Sequence, residues 1–356
     1  MPLLISEKLV TWYLQAHRNL PWRKTKDPYK IWISEVILQQ TRVEQGLPYY
    51  HSFIKKYPNV KSLATAPLQK VLKQWQGLGY YSRARNLHQA AKQIVEENKG
   101  KFPTEFDDLL KLKGIGQYTA AAIASFAFDK PQAVVDGNVM RVLSRLFAVS
   151  LPVNSTAGIN FFRKKADAVL DMTKPSLHNQ AMMELGALIC KPVNPLCVEC
   201  VLNKDCKAFQ TGKVSRFPVK EKKSPPEVIS LHFLIITKSD ELMIYQRNGK
   251  GIWKGLFEFP SLEKKGKVKW KAAEARSKLL EIGISKFSIK TNHDEINHLL
   301  SHRTIWASFS FVNASQVNLK KAESAGYKLI RKKDLKKYPI HRLMEKIVSL
   351  AGIEIN

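Results

Sequence analysis

The chain has 356 residues, more than a single hydrophobic core usually organises, so two domains are expected. Its 44% hydrophobic and 25% charged residues are those of an ordinary globular protein and exclude a disordered or a membrane protein. The net charge of +28 favours a nucleic-acid partner over the alternative, a generically basic surface.

The sequence predicts neither a membrane span nor a signal peptide. The longest apolar run, around residues 118–128, is shorter than the roughly 18 residues that a span needs. Glu7 interrupts the N-terminal apolar stretch too early for the core of a signal peptide. We therefore expect an intracellular protein, cytoplasmic or associated with the nucleoid, whose thiols stay reduced.

Residues 1–212 place apolar side chains at the three- and four-residue spacings of helices and predict an all-α domain. Within it, Glu35 lies in the predicted helix IWISEVILQQ, and its neighbours on the helix face are apolar. Such surroundings disfavour the charged carboxylate and raise its pKa, as a general acid at neutral pH requires. The alternative is a buried Glu35 paired with Arg42 or another base.

The stretch DDLLKLKGIGQYTAAAIASFAF predicts two helices joined by a tight turn at Gly114 and Gly116, a helix-hairpin-helix. The turn directs backbone N–H groups and a helix N-terminus outward, where they can bind a DNA phosphate without reading base sequence. The alternative is an ordinary connection between two packed helices.

Asp136 stands directly before the predicted helix GNVMRVL and is expected to cap its N-terminus. An aspartate held by helix N–H groups stays ionised and would stabilise a cationic sugar while a base departs. Two carboxyl groups with pKa values pushed apart are the usual equipment for cleaving a glycosidic bond. Glu35 and Asp136 are therefore the candidate pair.

All four cysteines lie in one window with the spacing C-x6-C-x2-C-x5-C, namely Cys190, Cys197, Cys200 and Cys206. Clustering this tight predicts one metal site, and a single looping run of thiolates favours an iron–sulfur cluster over zinc. Disulfides are a third interpretation, which a reducing compartment disfavours.

Residues 213–228 are charged, contain three prolines and show no periodicity, so they predict an extended linker. Residues 229–356 contain the strand-like stretches VISLHFLIITK, ELMIYQR and TIWASFSFV, a helical KAAEARSKLLEIG and a closing helix at IHRLMEKIVSLAG. The second domain is therefore predicted to be α+β.

The motifs EVILQQTRV, LKGIGQYTAAAIASFAF, VDGNVMRV, MELGALIC and the cysteine run resemble the adenine DNA glycosylase family, MutY, over essentially the whole chain. The resemblance implies a helix-hairpin-helix glycosylase domain with one [4Fe-4S] cluster, followed by a MutT-like domain of the Nudix fold, for which GIWKGLFEFPS is the best local match. The acidic Nudix signature is missing from KAAEARSKLLEIG, so pyrophosphate hydrolysis is not expected.

The resemblance also implies roles for individual residues. Glu35 would protonate adenine while Asp136 supports the oxocarbenium-like sugar, with Tyr118 and Asn138 as auxiliary residues. Tyr118 occupies the place of the lysine nucleophile of endonuclease III, which implies a glycosylase without that lyase chemistry. The implied DNA contacts are Trp22 and Arg23 in the adenine pocket, Gln40 and Thr41 at the opposite base, Leu78 and Tyr80 wedged into the base stack, and Ser301 and His302 reading 8-oxoguanine.

The function implied by the resemblance is removal of adenine paired with 8-oxoguanine or guanine in double-stranded DNA, by a monomeric enzyme. Leu300 departs from the family pattern, because an aromatic residue is common at that position of the reader loop. Two alternatives remain at this stage: an endonuclease III-like glycosylase/lyase acting on oxidised pyrimidines, and a catalytically silent protein that uses the scaffold only to locate lesions.

Overall fold

The computed structural model describes residues 2–222, 224–249, 251–291 and 295–354. It divides into two compact units, Met1–Thr65 with Asn86–Lys223, and Ala66–Arg85 with Ser224–Asn356. The helical half of the sequence therefore contributes a segment of twenty residues, 66–85, to the second unit. Helical periodicity does not predict this assignment. It indicates which face of a helix is buried, but not which domain that face packs against.

Helices dominate the first half of the chain, as the apolar spacing predicts. Their bounds are Pro2–Ala16 (α1), Pro28–Leu38 (α2), Val43–Lys56 (α3), Val60–Ala64 (α4), Leu68–Gln74 (α5), Ser82–Glu97 (α6), Phe106–Lys111 (α7), Gln117–Phe128 (α8), Gly137–Leu146 (α9), Thr156–Val169 (α10), Pro175–Leu188 (α11) and Lys207–Gln210 (α12). Helix α5 belongs to the second unit, and α6 begins in the second unit and continues in the first. None of the helices in the described residues is long and apolar enough to cross a membrane.

Two packed groups of helices form the core of the first unit. Helices α1, α9, α10 and α11 enclose one apolar cluster, which includes the fully buried Leu9, Leu143 and Phe162. Helix α2 packs against α3 and α8 and is buried on almost every side, from Tyr29 through Ile37. A helix that is apolar all round lies inside a protein, so any carboxyl group on α2 must also be buried.

The predicted linker starts along the surface of the first unit. The Val153 N–H donates to the Val219 carbonyl at 2.9 Å, and the Arg145 guanidinium donates to the Phe217 carbonyl at 3.1 Å. The first strand of the second unit begins at Glu227.

A mixed sheet and several helices follow residue 224 in the described part of the chain and confirm the predicted α+β class. The strands are Glu227–Lys238 (β1), Glu241–Gln246 (β2), Phe257–Glu258 (β3), Ser261–Lys265 (β4), Ile284–Thr291 (β5), Ile296–Leu299 (β6), Arg303–Val317 (β7) and Tyr327–Arg331 (β8), and the helices are Ala272–Glu281 (α13), Leu319–Ser324 (α14) and Arg342–Leu350 (α15). Strands run in the order β3-β2-β1-β7-β5, with β4 beside β1, β6 beside β7 and β8 beside β2. Only the β1–β7 pairing is parallel among the described strands.

Both faces of the central strand β1 are buried, which explains its nearly continuous apolar sequence. Phe233 and its odd-numbered neighbours pack with α15, whereas Leu234 and Ile236 pack with α13. The two helices predicted in this half, KAAEARSKLLEIG and IHRLMEKIVSLAG, are α13 and α15 and cover opposite faces of the sheet. The predicted architecture of this domain is therefore confirmed.

Candidate active site

Glu35 lies on the buried helix α2 with only 6% of its surface exposed, as its apolar neighbours predict. Its Oε2 atom accepts a hydrogen bond of 2.5 Å from the Tyr118 hydroxyl, which α8 supplies. Burial raises the pKa of Glu35 from 4.5 to about 7, although the hydrogen bond from Tyr118 opposes that rise. An ion pair with Arg42, the alternative drawn from the sequence, does not occur among the contacts of the described residues.

Asp136 caps the N-terminus of α9, as predicted. Its Oδ1 atom accepts the Val139 N–H at 2.7 Å, and its Oδ2 atom accepts the Asn138 amide at 2.7 Å. Burial raises the pKa of Asp136, and these two hydrogen bonds oppose the rise because they favour the ionised form. The cap thus points a carboxylate at a fixed position beside the helix N-terminus.

Arg141, which the sequence does not single out, holds Asn138 in place. Its Nη2 atom donates to Asn138 Oδ1 at 2.8 Å and to the Gly186 carbonyl at 2.7 Å, while Nε donates to the Cys190 carbonyl at 2.7 Å. A Cβ atom added at Gly186 would lie 2.7 Å from Asn138 Cβ, so glycine permits the close approach of α11 to α9. A chain of hydrogen bonds therefore runs from Asp136 to the first cysteine.

One cavity of about 690 Å³ in the first unit collects eight of the eighteen predicted site residues. This volume falls within the ~300–1,000 Å³ of typical small-molecule sites. Eight of the predicted residues line it, namely Glu35, Asp136, Tyr118, Asn138, Trp22, Arg23, Gln40 and Thr41. The two carboxyl groups therefore face one space large enough for a purine base.

Glu184 also lines this cavity and is a site residue that the sequence does not identify. It is fully buried and accepts hydrogen bonds from Arg18 Nε at 3.0 Å and from Arg23 Nη1 at 2.9 Å. Burial alone would raise the pKa of Glu184, but the two guanidinium groups hold this pKa at about 2. Arg23 is thus fixed by a buried carboxylate. The only sequence signal was the motif MELGALIC, which contains Glu184 but gives no partner.

The hairpin between α7 and α8 has the predicted glycine turn. Gly114 adopts a φ of +75°, and a Cβ atom there would lie 2.5 Å from Asn86 Cβ. Gly116 is the N-cap residue of α8 and has no side chain to occupy the first N–H groups of that helix. Lys113, Gly114, Gly116 and Gln117 are all exposed, so the turn presents backbone donors and a lysine at the surface.

The four cysteines line a second cavity in the first unit, together with apolar side chains such as Val142 and Leu185. Arg145 Nη1 lies 3.3 Å from Cys190 Sγ. Within the described ranges, no group of three or more His, Cys, Asp or Glu side chains is placed to hold a single metal ion. The four cysteines thus line one common cavity.

The second unit carries the remaining predicted residues. Leu78 and Tyr80 lie in the loop after α5, where Leu78 is buried and 46% of Tyr80 is exposed. Ser301 and His302 are exposed at the turn between β6 and β7, with Ser301 Oγ 3.2 Å from His302 Nδ1. Leu300, the residue that departs from the family pattern, packs against the apolar core of the unit.

The helical fold, the hairpin and the cavity with two carboxyl groups define a base-excision glycosylase of the helix-hairpin-helix class. Residues 33–157 match the family described as HhH-GPD superfamily base excision DNA repair protein, and residues 231–350 match the NUDIX domain family. The chain is 34% identical to the adenine DNA glycosylase of Buchnera aphidicola subsp. Baizongia pistaciae, over 89% of this chain and 88% of that protein. It is 35% identical to the human adenine DNA glycosylase, over 75% of this chain and 58% of that protein. The chain belongs to the adenine DNA glycosylase family and is a DNA N-glycosylase of base excision repair.

Solved structures agree with the fold of the first unit. A thermostable thymine-DNA glycosylase is 29% identical with a TM-score of 0.55, over 59% of this chain and 97% of that chain. Endonuclease III in a non-covalent complex with DNA is 22% identical with a TM-score of 0.51, over 60% of this chain and 98% of that chain. The second likeness concerns the fold alone.

Proposed function

We propose that the enzyme hydrolyses the N-glycosidic bond of adenine mispaired with 8-oxoguanine or guanine, acting as a monomer on double-stranded DNA. The observation that carries the catalytic part is the buried Glu35, bonded to Tyr118 and facing the same cavity as Asp136. The two alternatives, an endonuclease III-like glycosylase/lyase and a catalytically silent DNA-binding protein, are less well supported. The likeness to endonuclease III is one of fold, and a silent DNA-binding protein would not need two carboxyl groups in one cavity.

Glu35 is the general acid in this proposal. A pKa of about 7 keeps much of the group protonated at neutral pH. Because Oε2 accepts the Tyr118 proton, Oε1 is the atom left to carry the acidic proton toward the departing adenine. Protonation turns adenine into a neutral leaving group, which lowers the barrier for breaking the bond to the sugar.

Asp136 stabilises the positive charge that develops on the sugar as the bond breaks. Its carboxylate is held by the Val139 N–H and the Asn138 amide, so little reorganisation is needed when the charge appears. Water then completes the hydrolysis and leaves an abasic site. Glu35 is protonated and Asp136 is ionised in this proposal, and glycosidases use the same combination of two carboxyl groups.

The proposed enzyme is monofunctional because Tyr118, and not a lysine, stands beside the general acid Glu35. Burial holds the pKa of Tyr118 well above 10, so its hydroxyl stays neutral and donates to Glu35. Of the residues of the described chain that line the cavity, Lys26 is the only lysine, and it is paired with Asp129 at 2.8 Å.

The conformation of Gln40 and the exposure of Tyr80 support the DNA contacts implied by the resemblance, whereas Leu78 is buried in this structure. Gln40 adopts a φ of +60°, a strained conformation for a residue other than glycine and one that is concentrated at functional sites. We assign Gln40 and Thr41 to the opposite base, Trp22 and Arg23 to the adenine pocket, Leu78 and Tyr80 to the wedge in the base stack, and Gly114 and Gly116 to a backbone phosphate.

We assign the cysteine cavity to one [4Fe-4S] cluster rather than to one zinc ion. The support is the single looping run C-x6-C-x2-C-x5-C, whereas zinc sites usually take two pairs of cysteines from separate loops. All four cysteines line one mostly apolar cavity, and the cluster would be held by Cys190, Cys197, Cys200 and Cys206. Bound there, the cluster would serve a structural role by tying together the loops that carry the cysteines.

Purified protein is therefore expected to be brown, with broad visible absorbance and iron as its metal. Replacing Cys200 by Ser should abolish most of the iron content, because a ligand thiolate is lost. Lys204→Ala, in the same run but without a thiol, should retain the iron. Metal analysis and absorbance spectra give the answer, and a colourless protein that contains zinc would contradict the assignment.

The turn between β6 and β7 is proposed to read 8-oxoguanine through Ser301 and His302. Replacing both residues by Ala should reduce the preference for 8-oxoguanine over guanine by about tenfold, since one or two hydrogen bonds to the lesion are lost. Adenine release opposite guanine should persist. Single-turnover rates on the two duplexes test this, with Ser285→Ala on β5 as the control, and an unchanged preference would show that these residues do not read the lesion.

A further inference from the structure

The loop of residues 77–80, which carries Leu78 and Tyr80, is built into the unit that contains the proposed reader of the opposite base. Its segment, Ala66–Arg85, precedes the linker by more than a hundred residues but groups with Ser224–Asn356. Leu72 and Trp75 of this segment are fully buried. The loop and the β6–β7 turn are therefore two parts of one compact body.

Hydrogen bonds within the segment hold the loop in one conformation. Gly77, Gly79 and Tyr80 have φ angles of +99°, +71° and +47°, positive values that glycine adopts without strain and that allow a sharp turn. The Gly79 carbonyl accepts hydrogen bonds from Trp75 Nε1 at 3.1 Å and from Arg83 Nη2 at 3.2 Å. The Arg83 guanidinium also lies 5.6 Å from the centre of the Tyr80 ring. An exposed aromatic ring on a loop held by these contacts suits stacking against a base.

Gln76, directly before the loop, joins it to the C-terminal part of the unit. Its Nε2 atom donates to Glu345 Oε1 on α15 at 2.7 Å. Its Oε1 atom accepts from Lys73 Nζ at 2.9 Å and from the Ile340 N–H at 3.4 Å. One amide therefore connects the loop to both the segment before α15 and α15 itself.

Tyr81, directly after the loop, makes the matching contact. Its hydroxyl donates to the Ile340 carbonyl at 3.1 Å, and the ring is buried. Farther along, Arg85 Nη1 donates to the Lys254 carbonyl at 2.7 Å. Both ends of the loop are thus bonded to residues that follow the linker in sequence.

We propose that Gln76 and Tyr81 are positioning residues that couple reading of the opposite base to insertion of the loop into the base stack. The proposal rests on the proposed function, in which Ser301 and His302 read the lesion and Leu78 and Tyr80 form the wedge. Because reader and wedge belong to one body, the free energy gained at 8-oxoguanine also holds the wedge in place. Binding of guanine by Ser301 and His302 releases less free energy, so less of it is available to hold Leu78 and Tyr80 in the base stack.

The test uses the full chain with Tyr81→Phe and Gln76→Leu, and Tyr49→Phe as a matched control that loses a hydroxyl in the first unit. Single-turnover adenine release is measured on duplexes with adenine opposite 8-oxoguanine and opposite guanine. Tyr81→Phe should lower the ratio of the two rates about fivefold, the factor that one hydrogen bond carries. Gln76→Leu removes three contacts and should lower the ratio further, while the control keeps the wild-type ratio.

A second readout follows unstacking directly, through the fluorescence of 2-aminopurine placed beside the adenine. The rise in fluorescence on the 8-oxoguanine duplex should be smaller with Tyr81→Phe than with the control. The exchanged pair, Gln76→Glu with Glu345→Gln, keeps one acid and one amide at the two positions. A fluorescence rise close to that of the wild type with this pair would support the contact between residues 76 and 345.

Equal slowing on both duplexes would overturn the inference, because a residue that merely stabilises the fold affects both rates alike. A wild-type enzyme without preference for 8-oxoguanine would instead refute the proposed specificity, and the coupling with it. The ratio of the two rates in the wild type therefore tests the proposed specificity, and the change of this ratio in the variants tests the coupling.

Discussion

Replacing Glu35 by Gln is expected to slow single-turnover adenine release by roughly 10²–10⁴-fold, the contribution of a positioned general acid. The amide has nearly the same shape and can still accept the Tyr118 hydrogen bond, but it has no acidic proton. DNA affinity should change little, because the lost interaction is a proton transfer during bond cleavage. The matched control is Glu96→Gln on the exposed face of α6, which should keep the rate within about twofold.

The pH dependence of the wild-type rate tests the same assignment. Glu35 has a pKa raised to about 7 and acts in its protonated form, so the rate should be highest below pH 7 and fall above it. The fall should approach about tenfold per pH unit once the group is mostly ionised. Glu35→Gln should lose this alkaline limb. A Gln variant that keeps both the rate and the limb would exclude Glu35 as the acid.

Replacing Asp136 by Asn should slow adenine release by roughly 10²–10³-fold, as expected when preorganised electrostatic stabilisation is lost. Asparagine is as good an N-cap as aspartate, so the α9 N-terminus should keep its cap while the sugar loses its counter-charge. The bond from the Asn138 amide to Oδ2 is lost, so the melting temperature should fall, but less than when the cap is removed as well.

Asp136→Ala separates the two roles of this residue. It removes the charge and the cap together, and the lost cap should cost about 0.5–2 kcal/mol in the free energy of unfolding. Rate and melting temperature are measured for both variants. If Asp136→Asn released adenine at the wild-type rate, the carboxylate would have no part in stabilising the sugar.

Local sequence patterns were sufficient for much of the fold and for both candidate carboxyl groups. Burial of Glu35 follows from apolar neighbours within one helical turn, and the cap at Asp136 follows from its place before an amphipathic helix. The strand-rich character of the C-terminal half follows from period-two and continuous apolar runs. These features are local, so the chain around each residue determines them.

The interactions that a sequence pattern misses join residues far apart in the chain. Glu184 and its partner Arg18 are separated by 166 positions, and neither position carries a periodic signal that points to the other. Arg141 sits in an amphipathic helix, where an arginine is usually a solvated side chain, yet it is buried against Asn138 and Cys190. The membership of residues 66–85 in the second unit depends likewise on tertiary packing.

The most direct test of the central claim is a single-turnover assay with duplexes that carry adenine opposite 8-oxoguanine, guanine or thymine. The proposed function predicts release of adenine opposite 8-oxoguanine and guanine, faster with 8-oxoguanine, little release opposite thymine, and an abasic strand that stays intact until it is cleaved by alkali. Equal release from all three duplexes, or strand cleavage that keeps pace with base release, would contradict a monofunctional enzyme specific for these mispairs.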